Sequence, residues 1–163
     1  MNNNLIITIS RQYGTGGREI GRKLALHLGI PFYDRELITR AAKKTGFDEK
    51  LFDQLDKRAT NSFLYSLTMF GSVGLNGMSL TDQLYLAQSN IIREMAEDSS
   101  CVIVGRCADH VLRDFPNKFD FFIHGSIEDR VKRIQTCGDY EIEGKTPESA
   151  LEKMDKQRST YYN

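Results

Sequence analysis

Leu5 to Ile9 is a short apolar, β-rich run that passes without a break into Ser10-Arg11-Gln12-Tyr13-Gly14-Thr15-Gly16-Gly17. Beyond the glycines, Ile20, Leu24 and Leu28 recur at helical spacing, so the segment reads as strand, glycine loop and helix. Gly29 supplies the left-handed stop, Pro31 prevents further helix, and Phe32-Tyr33 offers a second short strand ending at Asp34. A βαβ start within 34 residues commits the chain to strands laid side by side in the same direction.

The remainder repeats the alternation. From Arg35 to Phe70 the pattern is mainly helical, with Leu37, Ile38, Ala41 and Ala42 in one segment and Leu51, Phe52 and Leu55 in another. Gly71, Gly74 and Gly77 mark a break, and Ser79-Leu80-Thr81-Asp82 forms a capping box for a helix carrying Leu84, Ile91, Ile92 and Met95 to about Asp98. Cys101–Val104 and Phe119–Ile123 each read as a central strand, separated by a short helix around Val111 and Leu112. Ser126-Ile127-Glu128-Asp129 opens another helix, Cys137 to Lys145 suits an exposed loop, and Thr146-Pro147 restarts a helix to about Tyr161. The expectation is an α/β fold, a parallel sheet covered by helices on both faces. In such folds ligands gather at the carboxyl ends of strands, where Ser10 to Gly17, Asp34, Gly105-Arg106 and His124 all fall.

Composition narrows the chemistry. Twenty-two basic residues balance twenty-two acidic ones, so no long-range field draws the chain to nucleic acid or an acidic membrane, and any anion must be caught by a local cluster. Cys101, Cys107 and Cys137 have no zinc spacing and read as reduced thiols. With no leader and no apolar run near 18 residues, the expected setting is the cytoplasm, as a monomer or homodimer. His27, His110 and His124 have no triad or metal spacing.

Phosphate needs close-approaching backbone N–H groups and the positive end of a helix, and Gly14, Gly16 and Gly17 before Arg18 can supply both. Against G-x-x-x-x-G-K-[ST], Gly16 fits the second glycine, but Arg11 stands at the first, Gly17 at the lysine and Arg18 at the hydroxyl residue. Against G-x-G-x-x-G, Gly14 and Gly16 match while Glu19 breaks the third position. A tight turn without a ligand is the remaining reading of these glycines.

The segment Ile7 to Gly21 resembles the opening of the cytidylate kinase-like family, and Leu28 to Ile38, Cys101 to Asp109 and Glu128 to Ile134 resemble further segments of it. The resemblance implies a three-layer P-loop nucleoside monophosphate kinase architecture in one domain. Its core would be residues 1–34 and 99–135, with a helical acceptor-binding insertion over 35–98 and a lid and following helix over 136–163; the further strand and helix of related folds are expected to be absent, through truncation or with incomplete donor binding. It implies ATP with Mg2+ and phosphoryl transfer to a nucleoside monophosphate, cytidylate foremost. ATP would lie against Ser10, Arg11, Gly14, Thr15, Gly16, Gly17, Arg18 and Arg133. The acceptor would meet Asp34, Arg40, Arg106, Asp155 and Arg158, and Arg18, Arg106, Arg130 and Arg158 would serve catalysis. Guanidinium groups suit that work, because phosphoryl transfer asks for alignment and charge neutralisation more than for a covalent nucleophile.

Departures from the pattern define the alternatives. Gly17 replaces the lysine; Arg18, beside the helix N-terminus, is the expected substitute, and Arg11 the other candidate. The magnesium ligands are unassigned, with Ser10, Thr15 or Asp109 through water as candidates, and Cys107 stands where relatives carry an aspartate. A nucleotide-binding regulatory or assembly module without turnover, a kinase for another small metabolite, and a dinucleotide-dependent reductase are the rival readings.

Overall fold

The computed structural model describes residues 3–35, 37–38, 80–138, 140 and 146–159. Four strands, β1 (Ile6–Arg11), β2 (Phe32–Tyr33), β3 (Cys101–Val104) and β4 (Lys118–Ile123), form one parallel sheet in the order β2-β3-β1-β4. The helices are α1 (Gly17–Leu28), α2 (Leu80–Asp98), α3 (Ala108–Val111), α4 (Ile127–Thr136) and α5 (Pro147–Ser159). Ile9 lies opposite Val104 on one side and Phe121 on the other, so β1, β3 and β4 end close together. That register brings the glycine loop, Gly105-Arg106 and His124-Gly125 to one edge of the sheet.

Side chains alternate across the pleat. Ile7, Ile9, Val102 and Val104 pack with Ala25 of α1, whereas Ile6, Cys101 and Ile103 pack with Ile92 and Ala96 of α2 and with Val111 and Leu112 at the end of α3. Helices therefore cover both faces, giving three layers. The local signals act as expected. Gly29 ends α1 at φ 66°, and the Ser126 hydroxyl accepts the Asp129 N–H at 3.1 Å to start α4. Ser79 and residues 39–79, most of the expected insertion and Arg40 with it, lie outside the described residues.

β4 differs from its sequence reading. Among the described residues it pairs only with β1, and Phe119, Phe121 and Phe122 are 52, 53 and 63% exposed. An apolar run has the same appearance in a central and an edge strand, so position in the sheet had to come from pairing. Among the described residues no helix is long and apolar enough to cross a membrane.

Gly21 sets how closely α1 lies on the sheet. A Cβ there would stand 2.7 Å from Val104 Cγ2 and 3.2 Å from Ile9 Cδ1. Alanine normally improves a helix interior by about 1 kcal/mol over glycine. Here overpacking outweighs that gain, and Gly21→Ala is expected to lower stability by roughly 1–3 kcal/mol. Urea unfolding followed by circular dichroism tests this; an unchanged or higher midpoint would contradict it.

Candidate active site

Gly14 and Gly16 hold φ of 79° and 74°, the left-handed region that side chains disfavour. Their surroundings add a second reason for glycine. A Cβ on Gly14 would come within 3.0 Å of Ile134 Cγ2 and 3.1 Å of the Arg130 carbonyl, and one on Gly16 would stand 2.6 Å from Arg133 Cζ. Gly16 is the N-cap of α1, and no side chain caps that helix end, the condition under which an anion can do so.

Side chains from α4 and α5 grip the loop backbone. Asp155 Oδ1 accepts the Tyr13 N–H at 2.6 Å, and Arg130 Nε donates to the Tyr13 carbonyl at 2.7 Å. Arg130, 5% exposed, also forms an ion pair with Asp155. Arg158 Nη1 donates to the Arg11 carbonyl at 3.1 Å, and its guanidinium lies 5.1 Å from the Tyr13 ring centroid. Burial lowers the pKa of Arg158, while Asp155 and then Tyr13 raise it. A loop cannot satisfy its peptide groups from a helix or a ladder, so these side chains satisfy them instead.

Arg133, also from α4, rests its guanidinium on Gly16 and pairs with Glu19 in the first turn of α1. Its Nε is buried with no hydrogen-bond acceptor among the described residues. Beside it opens a cleft of about 360 Å3 walled by Gly14 and Thr15, by His124 and Gly125 after β4, and by Arg130, Lys132 and Arg133 of α4.

On the other side of the loop, Arg18 Nε meets Asp34 Oδ2 at 2.7 Å. Asp34 is 5% exposed, and its Oδ1 accepts the Leu37 N–H at 3.2 Å. Arg18 thus meets the carboxylate expected on the acceptor side. Gly105, Arg106 and Cys107 follow β3 with φ of 82°, 59° and 51°. Two successive non-glycine residues in this region are held there by their surroundings, and such strain concentrates at functional sites. The Cys107 thiol is buried and its pKa pushed up to about 11, chiefly by that burial, which makes it a poor nucleophile.

Apart from Arg18, Asp34 and Arg106, the expected residues among those described fall into two groups. Gly14, Thr15, Arg130 and Arg133 line the cleft, with Gly16 against Arg133, Ser10 and Arg11 at the end of β1 leading into the loop, and Gly17 opening α1. Arg130, Asp155 and Arg158, expected on substrate, contact the loop backbone. Tyr13 and Glu19 carried no distinguishing signal, since an aromatic in a loop and an acid in a first helical turn are ordinary. Their importance lies in partners more than 100 residues away.

The profile of the cytidylate kinase-like family matches residues 6–163. No curated protein matches the chain. Among solved structures, an uncharacterized protein from Eubacterium ventriosum is 30% identical, with a TM-score of 0.63 over 97% of this chain and 75% of that one. Shikimate kinase from Acinetobacter baumannii, in complex with shikimate, is 15% identical with a TM-score of 0.54, covering 99% of this chain and 79% of its own. A gluconokinase from Sinorhizobium meliloti is 16% identical with a TM-score of 0.55, covering 96% and 76%. The last two establish the fold, that of P-loop kinases, and the match along nearly the whole sequence establishes descent: this chain belongs to the cytidylate kinase-like family.

Proposed function

We propose that the protein transfers the terminal phosphoryl group of ATP to a nucleoside monophosphate, with cytidylate the first acceptor to test. The observation that carries this reading is the junction of Gly16 and Arg133. An uncapped helix start, a left-handed glycine and a guanidinium whose buried Nε has no acceptor form a cradle for phosphate oxygens. Gly14, Thr15, Lys132 and Arg133 would hold the donor polyphosphate, while Arg106, Asp34 and Arg40 would serve the acceptor.

Mg2+ would neutralise charge on the transferred group. Among the described residues no three His, Cys, Asp or Glu side chains gather as ligands. Mg2+ in such sites is held by one or two protein groups, phosphates and water, a demand that Thr15 or Ser10 can meet without a protein cage. No acid or base on the protein is required, because an acceptor phosphate oxygen is nucleophilic once aligned.

A second reading is favoured by the internal pairing of Arg18 with Asp34 and of Arg130 with Asp155. Groups so engaged fit a module that binds a nucleotide without turning it over. The gluconokinase and shikimate kinase folds also make small hydroxylated acids reasonable acceptors. A coupled ADP-release assay across nucleoside monophosphates and such acids decides among these. Acceptor-dependent release greatest with cytidylate is expected. ATP binding without release would support the module, and release only with a hydroxy acid would change the substrate class.

A further inference from the structure

We propose that Arg11 does the work of the absent P-loop lysine, through a reciprocal exchange between positions 11 and 17. This inference rests on the phosphoryl-transfer reading. The usual pattern has glycine where this chain has Arg11 and lysine where it has Gly17. The structure gives a physical link between these two departures.

Gly17 needs no special backbone. It begins α1, and it is absent from the glycines with positive φ, so conformation does not demand glycine there. Space does. A Cβ on Gly17 would stand 2.9 Å from both Cβ and Cγ of Arg11 and 3.5 Å from its Cδ. The methylene stem of Arg11 therefore fills the volume that a lysine at 17 would leave through. A lysine at 17 and an arginine at 11 exclude each other sterically.

The other end of the Arg11 side chain places its charge. Its Nη1 abuts Gly105, at the carboxyl end of β3, so closely that a Cβ there would collide with it. Gly105, at φ 82°, leads directly into Arg106. The guanidinium accordingly lies between the start of α1 on the donor side and the Gly105-Arg106 turn on the acceptor side. On the phosphoryl-transfer reading, a group passing from donor to acceptor would cross that seam. The starting point of the side chain is fixed as well, because Arg158 Nη1 holds the Arg11 carbonyl at 3.1 Å. Arg18, the other adjacent candidate, is directed to Asp34 instead. Arginine differs from lysine in offering a planar fork, so it can bridge oxygens of two phosphates from one position.

Four variants separate charge from packing. Arg11→Met keeps most of the stem and removes the charge; it is expected to hold the wild-type melting temperature within a few degrees yet lose about 100-fold in turnover, as for loss of a transition-state charge partner. Gly17→Lys alone is expected to melt lower and lose turnover, and Arg11→Gly alone to lose turnover. The Arg11→Gly/Gly17→Lys double variant, which restores the usual glycine and lysine, should regain at least about tenfold over Arg11→Gly, the mark of coupled positions. Wild-type turnover in Arg11→Met, or a double variant no better than Arg11→Gly, would overturn the proposal while leaving the phosphoryl-transfer reading intact. If the wild-type chain shows neither ADP release nor calorimetric binding of ATP or tripolyphosphate, that reading fails and the charge role of Arg11 fails with it. The steric half is scored independently of ligand by melting Gly17→Ala with arginine and with glycine at 11; an equal loss in both backgrounds would overturn the exchange.

Discussion

Arg106→Gly is expected to lower turnover by about 100-fold or more while leaving the protein as stable as wild type or more so. Both halves follow from the turn after β3. Arg106 sits at φ 59°, between Gly105 at 82° and Cys107 at 51°. A side chain in the left-handed region costs on the order of 1 kcal/mol, and glycine removes that cost, offset in part by its greater freedom in the unfolded chain. An arginine kept where glycine would fit better needs another reason, and the phosphate contact proposed for this turn, which Arg11 Nη1 reaches at Gly105, would supply one. Melting curves paired with steady-state ADP release test the trade. A variant that melts clearly lower, or one that turns over like wild type, would show that the strain serves packing and not phosphate.

The second large effect concerns stability. Asp155→Ala is expected to destabilise the protein by about 3–5 kcal/mol, because it leaves the Arg130 guanidinium buried without its counter-charge. Arg130 is 5% exposed, and Asp155 also accepts the Tyr13 N–H at 2.6 Å, so one substitution strands a cation and a peptide donor together. For a chain of this length the melting temperature should fall by roughly 10 °C. A buried ion pair contributes little net stability when both partners are replaced together. Arg130→Met/Asp155→Leu should therefore recover the part of the loss due to the stranded cation and keep the part due to the unpaired Tyr13 peptide groups. Activity is expected not to follow, since the Tyr13 carbonyl and amide lose the partners that hold the loop. ATP titration of kcat and KM in the double variant reads that difference. A single variant within about 1 kcal/mol of wild type would remove the clamp from the account.

The fold was legible where one local signal sufficed. Gly29 and Ser126 mark helix ends through their own backbone or hydroxyl chemistry, and the runs at Leu5–Ile9 and Cys101–Val104 combine short length with the β-branched residues that favour strands. Burial was less legible. Phe119 to Ile123 has the same apolar character as Cys101–Val104, yet the described residues leave one strand at an edge and the other wholly buried. Pairing partners lie far along the chain, and composition within a run carries no information about them.

The site divides in the same way. Amino-acid order alone determined a parallel α/β chain with a glycine loop at a helix start, because backbone freedom, capping and periodicity act over a few residues. Tertiary structure decided what each charge does. Arg18 turns to Asp34, Arg130 and Asp155 close on Tyr13, Arg133 settles on Gly16, and Arg11 crosses Gly17 to reach Gly105. A guanidinium's destination depends on which distant backbone or carboxylate lies within reach of its long stem, and only the packed sheet and helices fix that distance.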